Sequence, residues 1–220
     1  KVKLETGPKK EKDPDFRTYI NTDIGINSFF ENGNIPGGGA PYSPKGWGSW
    51  NIGWNWMASQ KLSKGKYWDF GLGLSWYNFK LDNANYQILG TENGVEFVNR
   101  LDVNGFKSKV SASYLNVLTM FRLDFGKLND SGREGLRMAF GPYAGYRLGG
   151  RSKFVYRELG GSGRKKDKTS AGGYLNNFRY GIRGEIGFRS MTFFSTYDFN
   201  TLFHKTLSPN LNPITFGLVF

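Results

Sequence analysis

One histidine, His204, and no cysteine stand in the 220 residues, and that alone removes much catalytic and metal chemistry. Without thiols there is no disulfide framework, no thiolate nucleophile and no Cys-ligated zinc. His204 could serve as a general base with Thr206 or Ser208 as the hydroxyl it activates, the arrangement a lipid-modifying enzyme would use. Such a base needs a positioned nucleophile and an orienting partner, and the sequence marks neither. The carboxylates are scattered, with no spacing that suits a metal. The expectation is a non-enzymatic protein without metal or cofactor. Gly160-Gly161-Ser162-Gly163 before Arg164 and Lys165 lacks the G-x-x-x-x-G-K-[ST] spacing of a phosphate loop. It reads as a loop tip, as does Gly37-Gly38-Gly39.

Two sets of charges remain. One is spread over alternate positions: Arg17, Asp23, Asp69, Arg122, Asp124, Arg137, Arg147, Arg179, Arg183, Glu185, Arg189 and Asp198. The other is compact, with Arg151, Lys153, Arg157, Arg164, Lys165, Lys166 and Lys168 against Glu158 and Asp167. The first set, seven arginines against five acids, supplies little of the formal net charge of +12. Most of the excess lies in the tether, turns and loops.

The elements that carry these charges follow from periodicity. Residues 1–15 are polar, lysine-rich and broken by Pro8 and Pro14, and read as a tether. Beyond them, segment after segment alternates apolar and polar residues, the signal of a strand with two different faces. The first opposes Ile20, Thr22, Ile24 and Ile26 to Asn21, Asp23 and Gly25. The second opposes Trp50, Ile52, Trp54 and Trp56 to Asn51, Gly53 and Asn55, and the third Trp68, Phe70, Leu72 and Trp76 to Asp69, Gly71 and Gly73. Five more run through Leu115–Phe125, Leu136–Leu148, Phe178–Phe188, Met191–Phe199 and Ile214–Phe220. Residues 16–220 thus read as one all-β domain, an eight-stranded antiparallel up-and-down barrel.

Volume decides which face points outward. An eight-stranded barrel has an interior just wide enough for side chains or one small ligand, too narrow for the whole set of tryptophans, phenylalanines and leucines. The glycine-rich polar face fits inside, and the uncharged apolar face meets lipid, making the barrel transmembrane. A charge at the lipid midplane would cost about 2–4 kcal/mol. No run approaches the roughly 18 apolar residues of a membrane helix, which bears only on helices. Short connections at 61–66, 126–135 and 189–190 alternate with long ones at 31–46, 82–109, 149–176 and 201–212. That pattern suits a bacterial outer membrane, with both termini and the short turns periplasmic and the long loops outside.

Four stretches stand out: Ser113-Tyr114-Leu115-Asn116-Val117, Gly141-Pro142-Tyr143-Ala144-Gly145-Tyr146, Gly184-Glu185-Ile186-Gly187 and Tyr197-Asp198-Phe199-Asn200-Thr201-Leu202-Phe203. Together they resemble the PorT-like outer-membrane β-barrel proteins of Bacteroidota. The last stretch, Thr215 to Phe220, resembles the C-terminal signal read by the barrel-assembly machinery, with Phe216, Leu218 and Phe220 as its apolar row. The resemblance covers roughly residues 16–220 and implies fold and location. Function across that family is heterogeneous and includes members tied to protein secretion.

Two expectations about the charges follow. Arg122, Asp124, Arg137, Arg179, Arg183, Glu185 and Asp198 should form an ion-paired network that plugs the interior, because unpaired buried charge is costly; the alternative is a solute path. The compact basic run could contact lipopolysaccharide phosphates, surface polysaccharide or an acidic partner, or be a solvated loop. Nucleic acid is not expected, since no binding module is recognisable. The leading reading is a structural or accessory barrel that binds an outer-membrane protein partner. Its alternatives are a surface ligand-binding or adhesion-type barrel and a lipid-modifying enzyme.

Overall fold

The computed structural model describes residues 15–126, 135–204 and 208–220. Residues 1–14 of the tether, most of the connection 126–135, and Thr206 lie outside the described residues. Eleven strands follow in chain order: β1 (Phe16–Glu31), β2 (Trp50–Ser63), β3 (Lys66–Lys80), β4 (Tyr86–Thr91), β5 (Gly94–Asn99), β6 (Val103–Asp124), β7 (Leu136–Glu158), β8 (Lys165–Ser170), β9 (Phe178–Phe188), β10 (Met191–Asp198) and β11 (Leu211–Val219). A 3-10 turn, Gly46–Gly48, precedes β2.

Eight of these strands close a ring. The order is β1, β2, β3, β6, β7, β9, β10 and β11, and β11 returns to β1. Every pairing is antiparallel. The seam runs from Asp23 opposite Val219 to Glu31 opposite Leu211. Phe220 completes it by exchanging both backbone hydrogen bonds with Thr22. Closure leaves no unpaired ring edge, which a lipid environment demands. Tight turns join β2 to β3, with Gly65 at φ 72°, and β9 to β10, with Arg189 at φ 56°. Both turns lie at the end that carries Phe16 and Phe220, called here the terminal end; the opposite end is the loop end.

The outer surface is the apolar face. Trp54, Trp56, Leu72, Val117, Phe140, Ile186 and Phe193 are each more than half exposed. Contiguous apolar surface on this scale is foreign to a protein in water. From Trp68 to Trp76 the strand climbs about 27 Å, or about 21 Å of height at a tilt near 40°. Outward positions between Lys66 and Lys80 on β3 carry no charge. The fold is an eight-stranded antiparallel transmembrane β-barrel. Among the described residues no helix is long and apolar enough to cross a membrane. Ile214 shares the alternation of Phe216 on β11 but is only 8% exposed, with Ser28 and Tyr197 opposite it on the neighbouring strands.

The long connections are more ordered than the sequence suggests. Residues 82–109 hold the β4–β5 hairpin and the first turns of pleat of β6. Residues 149–176 hold the far half of β7 and all of β8. Above Tyr146, where β9 stops pairing with β7, β8 takes its place from Arg151 to Tyr156. Beneath this extension the barrel's loop end fills with an apolar core. Phe29, Phe79 and Val110 point in from the wall, and Ile88, Val95, Leu175, Leu202 and Phe203 close over them. Gly90 of β4 lies so close to Tyr174 that a Cβ there would stand 2.5 Å from the ring. The hairpin is therefore packed across the mouth.

Candidate functional site

Interior charges are held in three clusters. Nearest the terminal end, Arg122 donates to Asp69 at 2.6 Å and to Ser59 at 2.9 Å, with its guanidinium 4.1 Å from the Tyr67 ring centre. Midway, Arg183 grips Asp23 through two hydrogen bonds of 2.7 and 2.8 Å and turns its Nε to Glu185 at 2.7 Å. Asn55 supplies a further donor to Asp23 at 2.9 Å. Higher still, Arg179 donates to Asp198 at 2.7 Å, and Tyr143 donates to the same carboxylate. Tyr77, Tyr143 and Tyr114 surround this guanidinium at 4.2, 4.8 and 5.1 Å. Gly145 makes room for it, since a Cβ there would lie 3.1 Å from Arg179 Cγ.

Three arginines thus meet four carboxylates, and every one of those arginines also lies against an aromatic face. The void remaining among Asp23, Asn55, Asn116 and Arg179 is about 30 Å³, room for about two waters. Asp124 and Arg137, also expected in this network, lie toward the terminal end, where Arg137 lines one opening with Arg122 and Glu185. Asp124 accepts from the Gly126 amide, and Arg137 donates to the Arg189 carbonyl. Arg147 reaches up to the loop end, where it bonds Gly172 O and Asn177 Oδ1. Asp69 and Asp23, not singled out above the other polar-face charges, are the actual partners.

The compact basic run divides in the structure. Lys165 pairs with Glu158 at 2.6 Å, both exposed. Arg157 and Arg164 stack on Phe106, at 5.4 and 4.3 Å. The other four, Arg151, Lys153, Lys166 and Lys168, share one face of the β7–β8 sheet. Strand pairing sets Lys153 opposite Lys168 and Arg151 opposite Ser170. On the other side of β7, Lys153 faces Lys109 of β6, and Lys109 faces Lys80 of β3. Four lysines, Lys80, Lys109, Lys153 and Lys168, therefore form one row across four strands, about 4.8 Å apart from strand to strand. Below it runs Asn78, Ser111, Arg151 and Ser170.

This face is the outer wall. In β6 the outward residues Val117, Leu115, Ser113, Ser111, Lys109 and Lys107 follow one another with unbroken alternation. In β7 the register shifts between the pairs made by Ser113 and Tyr114, so Leu148 is an extra residue. That bulge reverses the alternation. Without it, Arg151 and Lys153 would point inward with Arg147.

Directly opposed like charges destabilise a sheet, and here they are not compensated. No ion pair among the described residues involves Lys107, Lys109, Arg151, Lys153, Lys166 or Lys168. Lys109 donates to Asn78 Oδ1 at 2.6 Å. Partial burial, then Lys107, Lys153 and Arg151, push its ammonium below the usual lysine range. Lys153 is lowered in the same way, by desolvation and then by Lys166, Lys107 and Lys168. Lys107 and Lys109 escaped the sequence reading. The signal was there: Lys107/Lys109, Arg151/Lys153 and Lys166/Lys168 are three basic pairs at i and i+2, the spacing of one strand face.

Elsewhere chemistry is sparse. Ser208 donates to the His204 carbonyl oxygen at 2.9 Å and accepts from the Val95 amide at 3.1 Å, which ties its hydroxyl into the cap. Among the described residues no group of three His, Asp or Glu side chains could hold a metal.

No protein family matches this sequence, and no curated protein matches it. Among solved structures it is similar to Ail, the attachment invasion locus protein of Yersinia pestis, in complex with the heparin analogue sucrose octasulfate. The two are 11% identical with a TM-score of 0.32, over 92% of this chain and 97% of that chain.

Proposed function

We propose that this protein is a closed, non-enzymatic barrel of a bacterial outer membrane that binds polyanions at the cell surface through the cationic face of β6, β7 and β8. The terminal end with its short turns is periplasmic, and the β4–β5 and β7–β8 sheets stand outside the cell, consistent with the PorT-like resemblance of its motifs. The interior supports the wall and conducts nothing. One observation carries the reading: a registered row of lysines with cations on both sides, where a stability-driven surface would alternate sign. Phosphate or sulfate groups of a ligand would relieve that repulsion. An accessory role through a protein partner has no comparable feature to support it, and the binding reading replaces it.

The test is retention of the detergent-purified barrel on a sulfated polysaccharide matrix and on its unsulfated counterpart. Retention on the sulfated matrix alone, released by moderate salt because exposed charges are screened, is the expected result. Equal behaviour on both matrices would overturn the reading. Proteolysis of intact cells should cut between Gly160 and Lys168; a cut that needs permeabilised cells would reverse the orientation.

A further inference from the structure

The cationic rows do not crown the barrel; they continue its lipid-facing wall upward. We infer that their ligand is a phosphorylated glycolipid of the surrounding leaflet, held with its acyl chains on the apolar band and its phosphates on Arg151 and on the lysine row above it. The inference rests on the polyanion-binding reading and names the polyanion.

Height supports it first. Arg151 stands three residues past Leu148, the last exposed apolar residue of β7. That is about 10 Å along the strand and about 8 Å along the membrane normal at a tilt near 40°. A polar headgroup layer occupies about 5–8 Å of each leaflet, so Arg151 meets it. The Lys109–Lys153–Lys168 row lies two residues farther up, about 5 Å higher at the same tilt. A phospholipid with one phosphate would engage the first row only. A glycolipid with phosphates at two depths engages both.

Shape supports it second. At the step between apolar and cationic wall lies an open cleft of about 700 Å³, with Trp76 below, Ser113 and Ser111 in its floor, and Lys109, Arg151 and Lys153 above. Ring, hydroxyl and cation in that order match acyl chain, sugar and phosphate. Trp47, 92% exposed, projects from the 3-10 turn whose Gly48 lies against the Lys80 side chain. An indole there suits a membrane interface.

The experiment compares the wild type with Lys109→Gln/Arg151→Gln/Lys153→Gln/Lys168→Gln, a set whose folding is checked by heat-modifiable gel mobility. Each is placed in neutral phosphatidylcholine nanodiscs doped with diphosphoryl lipid A or with its dephosphorylated form. Bound lipid is counted by native mass spectrometry, and binding of a soluble sulfated polysaccharide is measured in parallel. The expected result is retention of diphosphoryl lipid A by the wild type at least tenfold above the dephosphorylated form, with that preference lost in the variant. If the variant loses soluble polyanion but keeps lipid A like the wild type, the lipid inference fails while the surface reading stands. If the wild type prefers neither ligand, both fail.

Discussion

Inside the barrel each cluster of cations meets carboxylates and aromatic rings; on its outer wall cations meet cations. Arg183 has two carboxylates and the Phe194 ring within reach, whereas Lys153 has Lys109 on one side and Lys168 on the other. The difference is one of solvent. A charge in a dry, narrow lumen must be paired at once, or it costs several kcal/mol. At a wetted surface, repulsion between neighbours costs only a few tenths to about 1 kcal/mol, small enough to be kept where a ligand repays it. On the polyanion-binding reading proposed above, pairing marks charges that hold the structure, and its absence on the outer wall marks charges left open to a ligand.

Breaking an interior pair should have the largest effect. Arg183→Met leaves Asp23 and Glu185 facing each other in the lumen and should cost about 3–5 kcal/mol. Urea unfolding in lipid vesicles would measure it. The double variant Arg183→Met/Asp23→Leu should recover most of the loss; no recovery would mean that the guanidinium acts by packing against Phe194 and not by pairing. A smaller effect is expected from Lys153→Gln alone. Polyanion affinity should fall about fivefold, or about 1 kcal/mol, while unfolding stability holds or rises slightly, as titration and denaturation of one preparation would show. Lys165→Gln should do least. Its pair with Glu158 is exposed and screened by water and salt, so it contributes little, and polyanion binding should be unchanged. A large loss there would extend the functional face to the β7–β8 tip.

The sequence revealed the ring far better than what stands above it. Within the membrane, lipid on one side and a polar lumen on the other force sharp alternation, and Trp50 to Ala58 or Trp68 to Trp76 could hardly be read otherwise. Above the membrane both faces of β6 and β7 are wetted or cover a cap, and that contrast fades. Residues 82–109 and 149–176 then look like loops although they hold β4, β5 and β8. The partners of the interior arginines were visible as polar-face carboxylates, but Asp23 and Arg183 are 160 residues apart and meet only through barrel closure. The basic run was visible as a run. Its division, with four residues on the wall and Arg157, Arg164 and Lys165 spent on Phe106 and Glu158, depends on the bulge at Leu148. Alternation carried on from Tyr146 would have hidden Arg151 and Lys153 inside.

The contrast between holding and binding charges is tested most directly by reversing the lysine row. Lys109→Glu/Lys153→Glu/Lys168→Glu and the wild type would be compared in one preparation for polyanion affinity and for unfolding free energy. The account predicts that binding disappears while folding stability stays within about 1 kcal/mol of wild type. Unchanged binding, or a folding loss as large as that of Arg183→Met, would contradict it.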